Sequence, residues 1–100
     1  MILAIDFDGT IHDHKNPVAG RTMGPPILGA KETLINFKND GHTIVVHSVW
    51  GNDRNGAIKA WLKYFEIPYD EVTNIKPDAD YYIDDKAIKF TNWNDIWKQL

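Results

Sequence analysis

Short apolar runs and helix-spaced apolar stripes take turns along this chain. Met1-Ile2-Leu3-Ala4-Ile5 is closed by Asp6 and by Asp8-Gly9. A run this short, ended by turn residues, reads as a buried strand over residues 1–6 that spills into a tight loop. Both faces of the run are apolar, as in a central parallel strand covered on both sides. Residues 9–26 carry no period and read as a long loop, with room for a small hairpin that folds as a flap over the strand end. Ile27, Ala30, Leu34 and Phe37 then fall at helical spacing ahead of Gly41, so a helix is expected over 27–40. Thr43-Ile44-Val45-Val46-His47 is a β-branched second strand that ends at Ser48. Gly51-Asn52-Asp53 turns the chain, and Asn52 or Asp53 can cap the helix that Ile58, Trp61, Leu62 and Phe65 mark over 54–65.

Glu71-Val72-Thr73 is a short third strand, and Lys76-Pro77 opens a turn or a short helix. Tyr81-Tyr82-Ile83 is a fourth strand ending in Asp84-Asp85, and residues 87–90 add a brief fifth. Thr91 or Asn92 caps a last helix with Trp93, Ile96, Trp97 and Leu100 on one face. Trp61, Trp93 and Trp97 all sit at helical spacing and read as core. Strands alternating with helices define an α/β fold, a Rossmann-like three-layer sandwich with a mostly parallel sheet of about four to five strands and right-handed crossovers. No repeat or linker divides it, so residues 1–100 read as a single domain.

In a parallel sheet the ends of all strands lie on one edge, and that edge is where ligands bind in open α/β folds. Asp6, Ser48 and Asp84 each follow the last apolar residue of a strand, so the topology brings them to one crevice.

Composition narrows the chemistry. The apolar fraction of 43% and twelve aromatic residues fit a folded globule. The absence of cysteine excludes a disulfide, a thiolate zinc site and a thiol nucleophile, and permits a reducing, cytoplasmic setting. The N-terminal run lacks a basic region and is broken by Asp6, so it does not read as a signal peptide. No apolar stretch is long enough to cross a bilayer, and no membrane partner is expected. A formal charge of −3 with no Lys/Arg block disfavours binding to nucleic acid through bulk charge, leaving nucleic acid only as a substrate. His42 and His47 lack a metal-ligand partner at a useful spacing and read as structural or surface residues.

Two carboxylates two residues apart repel, and one takes up a proton unless a cation sits between them. Asp6, Asp84 and a backbone carbonyl near Asp8 form an all-oxygen set suited to Mg²⁺, which usually keeps several waters and takes a phosphate oxygen. With that ion present Asp6 stays ionised and can attack phosphorus, while Asp8 protonates the leaving oxygen and later activates water. Ser48 can donate to a phosphoryl oxygen, and Lys76 can balance charge on the transferring group. Gly9 lets the backbone turn so that amide groups approach a phosphate. Gly9, Thr10, Ser48 and Lys76 are thus the candidate phosphate contacts.

Asp6-Phe7-Asp8-Gly9-Thr10 resembles the first motif of the haloacid dehalogenase (HAD) superfamily, the DxDGT phosphatases. Ser48 resembles its second motif, Lys76-Pro77 its third, and Tyr82-Ile83-Asp84-Asp85 its acidic fourth. The four come in the family's order and span residues 6–85. The resemblance implies a Mg²⁺-dependent phosphomonoester hydrolase acting through an aspartyl-phosphate. Asp6 would be the nucleophile and Asp8 the general acid/base. Asp6, the Asp8 carbonyl and Asp84 would be metal ligands, with Asp85 assisting the metal or its waters. Neither gap where the family inserts a cap has room for one, which implies a capless member with an open site. Open sites in that family serve exposed phosphates on larger molecules or take a lid from another subunit, so an oligomer is left open. Small relatives place Arg two residues after the second-motif hydroxyl. Here that position is Trp50, and Arg54 is the candidate replacement. His12, His14, Lys15 and Arg21 on the flap read equally as substrate contacts or as a solvated loop. The alternative to an enzyme is a non-catalytic phosphate- or partner-binding module on the same fold. A response-regulator receiver fits less well, because its phospho-acceptor lies at the third strand and no Asp ends the third strand here.

Overall fold

The computed structural model describes residues 1–16, 23–49 and 52–100, with residues 52–55 described as backbone only. Along the chain run β1 (Ile2–Asp6), α1 (Ala30–Asn39), β2 (Thr43–His47), α2 (Asn52–Tyr64), β3 (Glu71–Thr73), β4 (Tyr81–Ile83) and α3 (Trp93–Gln99). The four strands form one sheet in the order β3-β2-β1-β4, and every neighbouring pair is parallel. The chain moves from β1 outward to β2 and β3, then returns to place β4 on the other side of β1. The order therefore reverses at β1, and the crevice between the ends of β1 and β4 is the topological switch point of the sheet.

Side chains alternate along each strand, so the core can be assigned to one face. Leu3, Ile5, Ile44, Val46 and Val72 point to the same side and cluster with Leu34 of α1 and Ile58, Trp61 and Leu62 of α2. Both helices thus cover one face, with α1 packed over β2 and α2 over β3. Residues 74–80 cross to β4 on the opposite face. There the Tyr82 hydroxyl donates to the Pro77 carbonyl (2.7 Å) and accepts from the Ala79 N–H (3.2 Å). Ala4 and Val45, which point to that face, are buried.

Asp70 joins three pieces of this frame. Its carboxylate accepts from the Ile44 N–H at the start of β2 (2.7 Å) and from Lys38 Nζ near the end of α1 (2.8 Å). Its own N–H donates to the Ile44 carbonyl (2.8 Å). These hydrogen bonds, the backbone one first and the lysine second, hold its carboxyl below the usual range.

Several expected elements differ in the structure. The first helix begins at Ala30 rather than Ile27, because Gly29 adopts φ +87° and residues 25–27 are paired elsewhere. Asp13 N–H donates to Pro25 O and Ile27 N–H to Ile11 O, so 11–13 and 25–27 form the antiparallel stem of a small hairpin. Its tip, and with it any closure over the strand ends, lies outside the described residues. Residues 87–90 form no strand, and Lys76-Pro77 starts no helix. The last helix is capped by Asn92 as expected, with its side chain accepting from Asp95 N–H (2.9 Å). That helix, however, packs against none of the other described elements. Trp61 is core, but Trp93 and Trp97 are 76% and 81% exposed, so the spacing that placed them on one face did not bury them. The third layer of the expected sandwich is accordingly formed by the 74–80 crossover and not by a packed helix.

Candidate functional site

The sheet brings together the carboxylates that the sequence separates by almost its whole length. Asp6 ends β1, and Asp84 and Asp85 follow β4 directly. Each of the three offers an oxygen, and these oxygens lie within 4.8 Å of one another. Burial first, and then the charges of Asp84, Asp85 and Asp8, push the Asp6 carboxyl up from 3.8 to about 6, with His47 on the neighbouring strand pulling it down. The cluster is thus an arrangement that a bound cation would relieve.

The loop after Asp6 is built around one carbonyl. Phe7 O accepts from the N–H groups of Thr10, Ile11 and His12 (3.3, 3.0 and 2.9 Å). Gly9 takes φ +85°, and a Cβ there would collide with the Asp85 carboxylate, so glycine lets the DGT loop approach the fourth-strand acids. The Gly9 N–H donates to His12 O (2.9 Å), so the sharp turn is present while this amide is committed inside the loop. Thr10 faces the α1 side, where its hydroxyl is buried with no hydrogen-bond partner in the structure.

His12 is not where a substrate contact was expected. It is buried, stacked on Phe7 (centroids 4.9 Å apart) and edge-on to Trp61 (5.4 Å). The Gly24 N–H donates to its Nε2 at 2.8 Å. A backbone amide can only donate, so Nε2 carries the lone pair and the ring proton sits on Nδ1. Nδ1 lies 2.8 Å from Asp8 Oδ1, so His12 donates to the carboxylate two positions after Asp6. Trp61 closes the assembly from α2, donating from Nε1 to the Gly24 carbonyl (2.9 Å). A Cβ on Gly24 would run into the backbone carbonyl of Asp13, so this contact requires glycine. The i, i+4 spacing of Asp8 and His12 was visible in the sequence, but only the turn around Phe7 O makes it a contact.

Ser48 lies buried at the end of β2, its N–H bonded to Thr73 O (3.0 Å), one strand from Asp6. Lys76 rests over the Tyr82 ring, 4.8 Å from its centroid, and makes no ion pair with the three acids among the described residues. His14 and Lys15 are exposed on the hairpin, while Arg21, Trp50 and the Arg54 side chain lie outside the described residues. No described helix is long and apolar enough to cross a membrane.

No protein-family model matches the chain. No curated protein matches it. Among solved structures, the chain is similar to a conserved protein of Bacteroides thetaiotaomicron, at 25% identity and a TM-score of 0.72 over 99% of this chain and 88% of that one. The likeness takes in the whole α/β arrangement, including the C-terminal segment.

Proposed function

We propose that this protein is a small, capless HAD-like phosphatase, a hydrolase of phosphate monoesters that uses Mg²⁺. The observation that carries the reading is the meeting of Asp6, Asp84 and Asp85 at the switch point of a parallel sheet, with Asp8 beside them. Three carboxylates within reach of one ion, all hard oxygen donors, fit Mg²⁺. Asp6 and Asp84 would hold it, with Asp85 and the Asp8 carbonyl completing the set. When bound, the ion supplies charge neutralisation for the phosphoryl oxygens and keeps Asp6 ionised.

The rest of the chemistry belongs to the chain. An Asp6 oxygen attacks phosphorus in line with the ester oxygen. The P–O bond to the leaving group breaks, and the departing alkoxide takes the proton carried by Asp8. Asp8, now a carboxylate, then removes a proton from water. The resulting hydroxide displaces phosphate from Asp6 and restores the free carboxylate. Ser48 supports a phosphoryl oxygen, and Lys76 balances charge on the transferring group. Oδ1 of Asp8 accepts from His12, which fixes the carboxyl that shuttles the proton. His12 is therefore a positioning residue for the acid/base.

The test is hydrolysis of p-nitrophenyl phosphate with Mg²⁺, with chelator, and with Asp6→Asn. Turnover that needs the metal and falls at least a thousandfold in the variant is expected. A folded, Mg²⁺-binding protein with no turnover on this ester or on a panel of larger phosphate esters would favour the binding module instead.

A further inference from the structure

The helical cover of the sheet thins toward its edge strand β4. With α1 over β2 and α2 over β3, Leu3 and Ile5 of β1 are buried, while Tyr81 and Ile83 of β4, on the same face, are exposed. The result is a groove of about 370 Å³ between α1 and β4. Its floor is Ile5, Ile11 and Leu34, which are buried, and its rim includes Leu28, Phe37 and Ile83. Leu28 is fully exposed.

The same chain carries an apolar element with nothing to pack on. α3 has seven residues and touches none of the other described elements. A helix that short is not stable in water on its own propensity and needs tertiary packing of its apolar face. Trp93, Ile96 and Trp97 lie at i, i+3 and i+4, one stripe on one side. Phe90 meets the Trp93 ring edge-on at 5.3 Å and extends that stripe. Taking each large apolar side chain at about 200 Å², the exposed parts of Leu28 and Tyr81 on the groove side come to roughly 320 Å² and those of Phe90, Trp93 and Trp97 on the stripe to roughly 430 Å². A reciprocal contact that covers both patches takes up to about 750 Å² from each protomer, close to the roughly 800 Å² that each partner gives to a stable interface.

We propose that the protein forms a homodimer in which α3 of each protomer lays its Trp93/Trp97 stripe into the α1–β4 groove of the other. The groove and the stripe are on every copy, so the contact is reciprocal and closes as a two-fold pair. The structure holds α3 away from its own groove. The likeness to the Bacteroides protein, which takes in 99% of this chain, includes α3. The proposal is independent of the phosphatase reading.

Light scattering on a sizing column at micromolar protein gives the mass directly. The wild type is expected at twice the chain mass of 11.5 kDa. Leu28→Glu, on the groove rim, and Trp97→Glu, on the stripe, should each shift the protein to a single-chain mass with unchanged far-ultraviolet circular dichroism. Both positions are exposed, so neither change threatens the core. A wild type at single-chain mass, with Trp emission insensitive to dilution, would overturn the proposal in favour of α3 folding onto its own groove. A dimer that survives Leu28→Glu would overturn it in favour of another surface, such as pairing of α3 with α3.

Discussion

Asp6 shows how a site residue is set against stability. Its carboxyl is raised to about 6 by burial and by three neighbouring carboxylates. A raised folded-state value stabilises the fold below about pH 4, where Asp6 is protonated in both states, and this contribution is lost as pH rises through 6. At pH 7.5 the folded protein therefore carries an unfavourable charge that Asp6→Asn removes. We expect that variant to melt several degrees higher than wild type at pH 7.5 without Mg²⁺, about 1 kcal/mol after allowance for solvent screening, and no higher at pH 4. Thermal melts at the two pH values check the sign. His12 gives a second prediction. His12→Phe keeps the stack on Phe7 but removes the donor to Asp8, so on the phosphatase reading kcat should fall about 10- to 100-fold while Mg²⁺ affinity is kept. His12→Asn, which can still donate, should recover part of the loss. In an Asp8→Asn background the His12 change should cost little more, which double-mutant kinetics would show.

Among the elements, the frame around the site depends on Asp70. It links the end of α1, the start of β2 and the approach to β3, and its lowered carboxyl value gives stability above the unfolded value that is lost as pH falls below about 4. Asp70→Ala should cost about 1 kcal/mol at pH 7, seen as a lower urea midpoint, and the difference should shrink at pH 3. β1, β2 and β4 were legible because each is built on a short apolar run ended by polar turn residues. The register that joins Asp6 to Asp84 followed from counting those ends. The loop was less legible, because bonding of three N–H groups to Phe7 O leaves no periodic trace. Periodicity reported that Trp93 and Trp97 share a face, but a stripe does not say which surface covers it. Residues 87–90 misled for a related reason: apolar content alone makes no strand where no neighbour is placed to pair with it.

For the whole molecule, the groove beside β4 and the unpacked α3 are the two halves of the proposed contact. If two chains complete each other there, folding and association are linked. The melting temperature should then rise with protein concentration, and Leu28→Glu should abolish that dependence. Calorimetry across a tenfold concentration range measures it. Because Ile5 faces the groove while Asp6, next along β1, points to the other face of the sheet, Leu28→Glu should leave metal-dependent turnover per chain within about twofold of wild type if the phosphatase reading holds.

The sheet order also sets a sequence of events. β1 pairs with β2 about forty residues later, but with β4 only after nearly eighty, where Asp80 takes the Ile2 N–H across 78 positions. Contacts between nearby segments close first, because long loops are entropically slow to close. The chain can thus assemble β1, β2 and β3 with both core helices before β4 docks and brings Asp84 and Asp85 to Asp6. The electrostatic repulsion at the acid cluster is then added to a nucleus already formed, and it burdens the last step of folding rather than the first.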